Sequence, residues 1–219
     1  MQFHKMVEFI PLLVKGVGVT LEFTVLSTIA GFILGIIIAV VKVSNIKPLK
    51  WLANFYTSIF RGTPLLVQLF IIYYATPQLF DYKIPALNAA VITFGLNSAA
   101  YISESLRGGI QAVDKGQKEA AMALGVSYFN TMVDIIFPQA LKHVLPALVN
   151  ESIALLKDSS LVATIGVMDV LRASETIMNT TFIPFEPLII GAAIYYVLIG
   201  ILTLLADVLE RRVNRSDRS

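Results

Sequence analysis

The 219-residue chain contains no cysteine, which removes disulfides, thiolate metal sites and cysteine nucleophiles together. Charge is also scarce. Only 15% of residues are Asp, Glu, Lys or Arg, whereas a soluble domain carries roughly a quarter. With 56% hydrophobic residues and a mean hydropathy of +0.75, that shortage points to a membrane protein. The net charge of +2 is too small to argue for nucleic acid. Two histidines, His4 and His143, stand far apart without metal-ligand spacing, so no metal site is expected. No G-x-x-x-x-G-K-[ST] phosphate loop and no catalytic constellation occur. The chain reads as a non-enzyme, and any ATP that drives it must be bound by another subunit. Met1 to Pro11 lack the basic start, apolar core and small-residue cleavage site of a secretory signal, so the whole chain is expected to be mature.

What is abundant is apolar sequence in long runs. A bilayer core of about 30 Å takes about 20 residues of helix. Five spans fit, at about 17–41, 52–75, 86–108, 138–157 and 187–209, within one transmembrane domain covering 1–219. The second is interrupted by Arg61-Gly62-Thr63-Pro64, where Pro64 predicts a kink or break. The fourth carries Lys142, His143, Asn150 and Glu151. A span so polar cannot face lipid on all sides and is expected to line a pathway. Between the fourth and fifth spans, a loop with a short helix around 167–178 is expected.

An odd number of spans puts the termini on opposite sides. Lys42, Lys47, Lys50, Arg107, Lys115, Lys118, Lys142, Arg211, Arg212, Arg215 and Arg218 fall on one side; Lys5, Lys15, Lys83 and Arg172 fall on the other. The positive-inside rule then places the N-terminus outside and the C-terminus inside.

Acids at bilayer depth are costly and mark function by default. Glu22, Glu151 and Asp158, with Asn97 and Tyr101, are the candidate substrate residues. Glu151 and Asp158 share a helix face, as do Asn97, Tyr101 and Glu104. Acids converging on one cavity suit a guanidinium or ammonium guest. The alternative is structural: Glu151 paired with Lys157 or Lys142, Glu22 with Lys15. Glu104 and Arg107, at i and i+3, are placed for a helix-surface pair, structural or gate-latching.

One short stretch of mixed polarity separates the third and fourth spans. Gln117 to Leu124 are good helix formers, Gly125 is placed to end that helix in a left-handed conformation, and Pro138 fits the first turn of a new one. Taken alone this is either an ordinary interfacial helix or a docking knuckle. Glu119-Ala120-Ala121, three residues, Gly125, nine residues, then Ile135-Ile136-Phe137-Pro138 resembles the EAA motif of permease subunits in bacterial ABC importers, with Phe137 in the leucine place. Arg61-Gly62-Thr63-Pro64, Tyr101 to Gln117 and Leu156 to Leu161 are similar to the branch that takes up polar amino acids.

The resemblance implies an all-α membrane protein, a type I ABC importer permease with five transmembrane helices and a cytoplasmic coupling helix over 117–128. Within it Glu119, Ala120, Ala121 and Gly125 would contact the ATPase. It also implies a second permease copy or paralogue, two ATP-binding cassette subunits carrying ATP and Mg, and an extracytoplasmic substrate-binding protein. The implied site is the bacterial cytoplasmic membrane. Together with the acids, the implied substrate is a polar, cationic amino acid (Arg, Lys or His), with glutamine the nearest alternative. The rival reading is an ion-coupled carrier or channel without an ATPase, which predicts inverted repeats that five unequal spans do not display. A non-transporting scaffold would leave the polar faces of the third and fourth spans without purpose.

Overall fold

The computed structural model describes residues 3–44 and 46–215, without the side chains of 212–215; the expected inner-side charges of Arg212, Arg215 and Arg218 lie outside the described residues or side chains. Helix is the only regular structure among the described residues. A 3-10 turn over Phe3–Phe9 leads into α1 (Ile10–Val43). The remaining helices are α2 (Lys47–Gly62), α3 (Leu65–Phe70), α4 (Thr76–Phe80), α5 (Ala86–Ala112), α6 (Lys115–Ala123), α7 (Tyr128–Asn130), α8 (Phe137–Asp158), α9 (Val170–Thr181) and α10 (Phe185–Arg215).

Among the described residues, four continuous helical stretches are long and apolar enough to cross a bilayer: Phe3–Val43, Ala86–Ala112, Tyr128–Ile165 and Phe185–Arg211. The fifth candidate is a bent pair, Lys47–Gly62 with Leu65–Phe80, turned through 106°. The break falls at Thr63-Pro64, both extended, as the proline predicts. Most spans run longer than hydropathy alone marks, because the helices continue past their apolar cores.

Pro138 falls in the first turn of α8, as expected, but no break precedes it: the chain is helical from Tyr128 onward and widens into a π-helical turn over Thr131–Ile136, just before α8. A proline ring crowds the carbonyl four residues back, and an i→i+5 turn makes room for it. The Gln139 amide then donates to the Ile135 carbonyl at 2.9 Å. The same device recurs at Pro77: a π turn over Ile71–Ala75 precedes it, and the Thr76 hydroxyl donates to the Ile72 carbonyl at 2.5 Å.

The core is built on α5, which packs against α1, α8, α2 and α3. α1 and α5 meet through small residues. A Cβ on Gly35 would lie 2.6 Å from Ile102 Cγ2, and one on Gly31 2.8 Å from Ser98 Cβ, so only glycine permits this approach. Toward the α9 end of this pair, Phe23 and Phe94 meet edge to face with centroids 4.7 Å apart, within a cluster that also contains Leu69, Leu155 and Val162. Exposed leucine, isoleucine and valine cover the outer faces of α1 and α10, where lipid would lie.

Candidate functional site

α6 is a sharply bounded knuckle. The Asp114 carboxylate caps its start, accepting from the Gly116 N–H at 2.6 Å. At its end the Val126 N–H donates to the Ala121 carbonyl and the Gly125 N–H to the Met122 carbonyl, both at 3.0 Å. This is a Schellman stop, and it needs a left-handed residue; Gly125 supplies it with φ +74°. The Ser127 hydroxyl caps the next helix by accepting from the Asn130 N–H at 3.2 Å. Glu119, Ala120 and Gly125 are exposed, whereas Ala121 is buried and anchors the knuckle. Sequence reasoning missed Met122 and Leu124. They are 57% and 83% exposed, which adds an apolar patch to a projecting helix that also exposes Lys115, Lys118 and Glu119. The signal was present: two large apolar residues in an otherwise polar helix.

The intramembrane polar residues separate into different environments. Glu151 on α8 is half-buried, beside the Ser98 hydroxyl of α5 and within electrostatic reach of Asp158. Ser98 Oγ, beside the Glu151 carboxylate, and Ser27 Oγ on the facing side of α1 are both buried. Asp158 ends α8 next to the 3-10 turn Ser159–Ile165. Glu22 is exposed among Leu21, Val25 and Leu26, on the side of α1 turned away from α5. Ser98 meets α1 at Gly31, nine residues and about 13 Å of helix rise from Glu22.

Asn97 has structural partners in the broken span. Its amide donates to the Phe60 carbonyl and to Gln68 Oε1, each at 3.0 Å. Gln68 in turn donates to the Phe60 carbonyl, the Thr63 carbonyl and Thr63 Oγ1 at 2.9, 3.1 and 2.8 Å. The two amides staple the carbonyls freed by the break at Pro64. The Asn97 amide nitrogen is thus a structural donor to the broken span. Tyr101 is partly exposed, and the Arg61 guanidinium lies over its ring, 5.3 Å from the centroid.

Two further hubs were not read from the sequence. At the α6 end of the bundle, the buried Lys42 ammonium donates to Thr57 Oγ1 at 2.7 Å and pairs with Glu104. Glu104 also takes the expected Arg107 partner, at 2.7 Å. At the opposite end, the fully buried Asp169 accepts from the Tyr195 hydroxyl at 2.7 Å and the Arg172 N–H at 2.8 Å. Burial pushes the Asp169 carboxyl above the usual range, while these hydrogen bonds pull it back down. Among the described residues, no group of three or more His, Cys, Asp or Glu is placed to hold a metal ion.

A knuckle helix set between polar inner spans is what the motif implied, and comparison with known proteins decides the family. The model of the family described as binding-protein-dependent transport system inner membrane component matches residues 31–215. The chain belongs to this family. It is the permease of an amino acid ABC transporter. The permease is 48% identical to the arginine transport system permease protein ArtQ of Bacillus subtilis (strain 168), with 99% of each chain covered. It is 44% identical to the putative glutamine transport system permease protein GlnP of Rickettsia felis, covering 96% of this chain and 98% of that one. A crystal structure of an amino acid ABC transporter with histidines superposes with TM-score 0.91 at 45% identity, covering 97% of this chain and 99% of that one. The inward-facing methionine transporter MetNI shares the fold, with TM-score 0.80 at 21% identity over 94% and 98% of the two chains. The permease therefore has the type I ABC importer permease fold.

Proposed function

We propose that this permease forms half of an ATP-driven importer that moves cationic amino acids into the cytoplasm by alternating access. A second copy or a paralogue completes the pathway, two ATP-binding cassette subunits dock on the α6 knuckles, and an extracytoplasmic binding protein delivers substrate. ATP and Mg belong to those partner subunits. The N-terminus lies outside, and α6 and the C-terminus lie inside. The observation that carries the coupling role is the α6 surface: Glu119, Met122 and Leu124 exposed on a helix locked at both ends by Asp114 and Gly125. A rigid projection transmits partner movement, where a loose loop would absorb it.

For the substrate, the Glu151–Asp158 pair supports a cation. The relative described as an arginine permease and the structure described with histidines agree with that chemistry. Glutamine is the second reading, favoured by the relatives described as putative glutamine permeases. Tyr101, with the Arg61 guanidinium over its ring, is a further substrate residue in this reading. Proteoliposomes holding the permease with its ATPase test both points. Uptake of labelled arginine, lysine, histidine and glutamine is measured with and without ATP. ATP-dependent uptake of cationic amino acids is expected; gradient-driven uptake without ATP would overturn the reading.

A further inference from the structure

Three contiguous cavities surround Val43 at the α6 end of the bundle. One, of about 390 Å³, is an apolar slot: Ile36 and Val40 of α1 form one wall, Val133 and Phe137 the other. It runs along both helices, and from Ile36 to Val43 spans about 10 Å. The second, of about 460 Å³, shares Val43, Ile110, Tyr128 and Met132 with the slot, then opens onto Lys115 and Lys118, with Asp114 as its carboxylate. That carboxylate is already engaged as the cap of α6. The Lys118 ammonium stands over the Tyr128 ring, 5.3 Å from the centroid, at the junction of the two cavities. The third, of about 380 Å³, adjoins them through Val43 and Gln111 and adds Lys50 and Arg107.

We propose that the slot and the lysine-lined niche form one binding site for a single anionic phospholipid, its acyl chain in the slot and its phosphate against Lys115 and Lys118. Three observations converge on that occupant. The slot is apolar where it lies within the span and becomes cationic where α5 leaves the span, which is the polarity order of a lipid in its leaflet. The charge excess is positive in both polar cavities, three cations facing Glu104 in one and two lysines facing Asp114 in the other. The slot is lined by large exposed apolar side chains, including Val40 at 55% and Phe129 at 71%, which water would not occupy favourably. On the orientation proposed above, the leaflet is the inner one. A lipid here would bridge α1, the α5–α6 junction and the π turn, the joint through which the knuckle connects to the bundle.

Native mass spectrometry of the transporter, purified from membranes and exchanged into defined lipid, reads the retained phospholipid. Wild type is expected to keep one phosphatidylglycerol per permease and to prefer it at least fivefold over phosphatidylethanolamine. Lys115→Ala with Lys118→Ala should abolish that preference while leaving weak retention of either lipid. Val40→Trp, which fills the slot, should abolish retention altogether. Lys83→Ala, remote from the niche, serves as control. Equal retention of the two lipids by wild type would overturn the proposal, as would full retention in Val40→Trp. Retention by the isolated permease but not by the assembled transporter would also overturn it, since the slot would then be covered by a partner subunit.

Discussion

Lys42 of α1 and Glu104 of α5 pair across 62 residues of sequence, and the lysine is fully buried. Thr57 of α2 accepts a second hydrogen bond from the same ammonium. One charge thus joins three helices at a point where α1 is about to leave the bundle. Removing Glu104 would strand the fully buried ammonium, whereas Glu104 without Lys42 keeps Arg107 as its partner. Glu104→Ala is expected to lower stability by about 3–5 kcal/mol, Lys42→Ala by less, and Thr57→Ala by only about 1 kcal/mol. Thermal unfolding in detergent, read with the Lys42/Glu104 double-mutant cycle, checks both values; additive effects would show that the pair is not coupled.

The α1–α5 seam tests close packing. Gly35→Leu drives a side chain into Ile102 and is expected to destabilise by about 1–3 kcal/mol. Gly18, on the same helix with open space around it, should accept leucine without loss. Equal unfolding temperatures for the two variants would contradict the seam.

The knuckle offers a separation of folding from coupling. Gly125→Val places a β-branched residue at φ +74°, a strain of about 1–2 kcal/mol confined to the end of α6. The bundle should stay folded while uptake per ATP hydrolysed falls. Gly125→Asn, which tolerates the left-handed region, should largely restore coupling. Glu119→Lys should weaken ATPase docking without a change in the unfolding temperature. Wild-type uptake per ATP in Gly125→Val and Glu119→Lys would remove the coupling role.

Charge selection is expected to reside at Glu151 and Asp158. Glu151→Gln should reduce uptake of cationic amino acids about tenfold, roughly 1.4 kcal/mol of lost interaction, with less effect on a neutral one. Glu22→Gln should act less, because its side chain lies on the face of α1 turned from α5. Transport assays on the paired substrates decide it, and a larger effect at Glu22 would relocate the site.

Asp169 predicts a pH dependence of fixed sign. Its carboxyl is raised by burial, so the folded protein holds a proton that the unfolded chain has already released. Its contribution to stability is complete below the ordinary carboxylate range and declines as pH rises through the raised value. Asp169→Asn removes this titration while keeping an acceptor for Tyr195. The difference in unfolding temperature between wild type and variant should shift in the variant's favour as pH rises through that window. A constant difference would assign the carboxyl an unshifted value.

The local features were legible in the sequence because they depend on near neighbours. The break at Pro64, the left-handed stop at Gly125 and the Glu104–Arg107 pair each follow from residues within one or two turns. Pro138 marks the edge of that legibility. Its place in a first helical turn follows from the residue itself, but the π turn that joins α8 to the preceding helix depends on what the surrounding helix packs against.

The roles of single polar residues were decided elsewhere. Asn97 finds Gln68, 29 residues away, and Asp169 finds Tyr195 at a separation of 26. Glu22 looked equivalent to Glu151 by depth and charge, yet the rotation of α1 against α5 turns it outward. By itself the sequence determined the apolar spans, their breaks and the capped knuckle, since hydropathy and backbone preference act residue by residue. Tertiary structure alone decided which buried polar groups satisfy each other and which remain available to a ligand. In a low-dielectric interior each such group takes the partner that packing brings within reach, and that partner is seldom its neighbour in the chain.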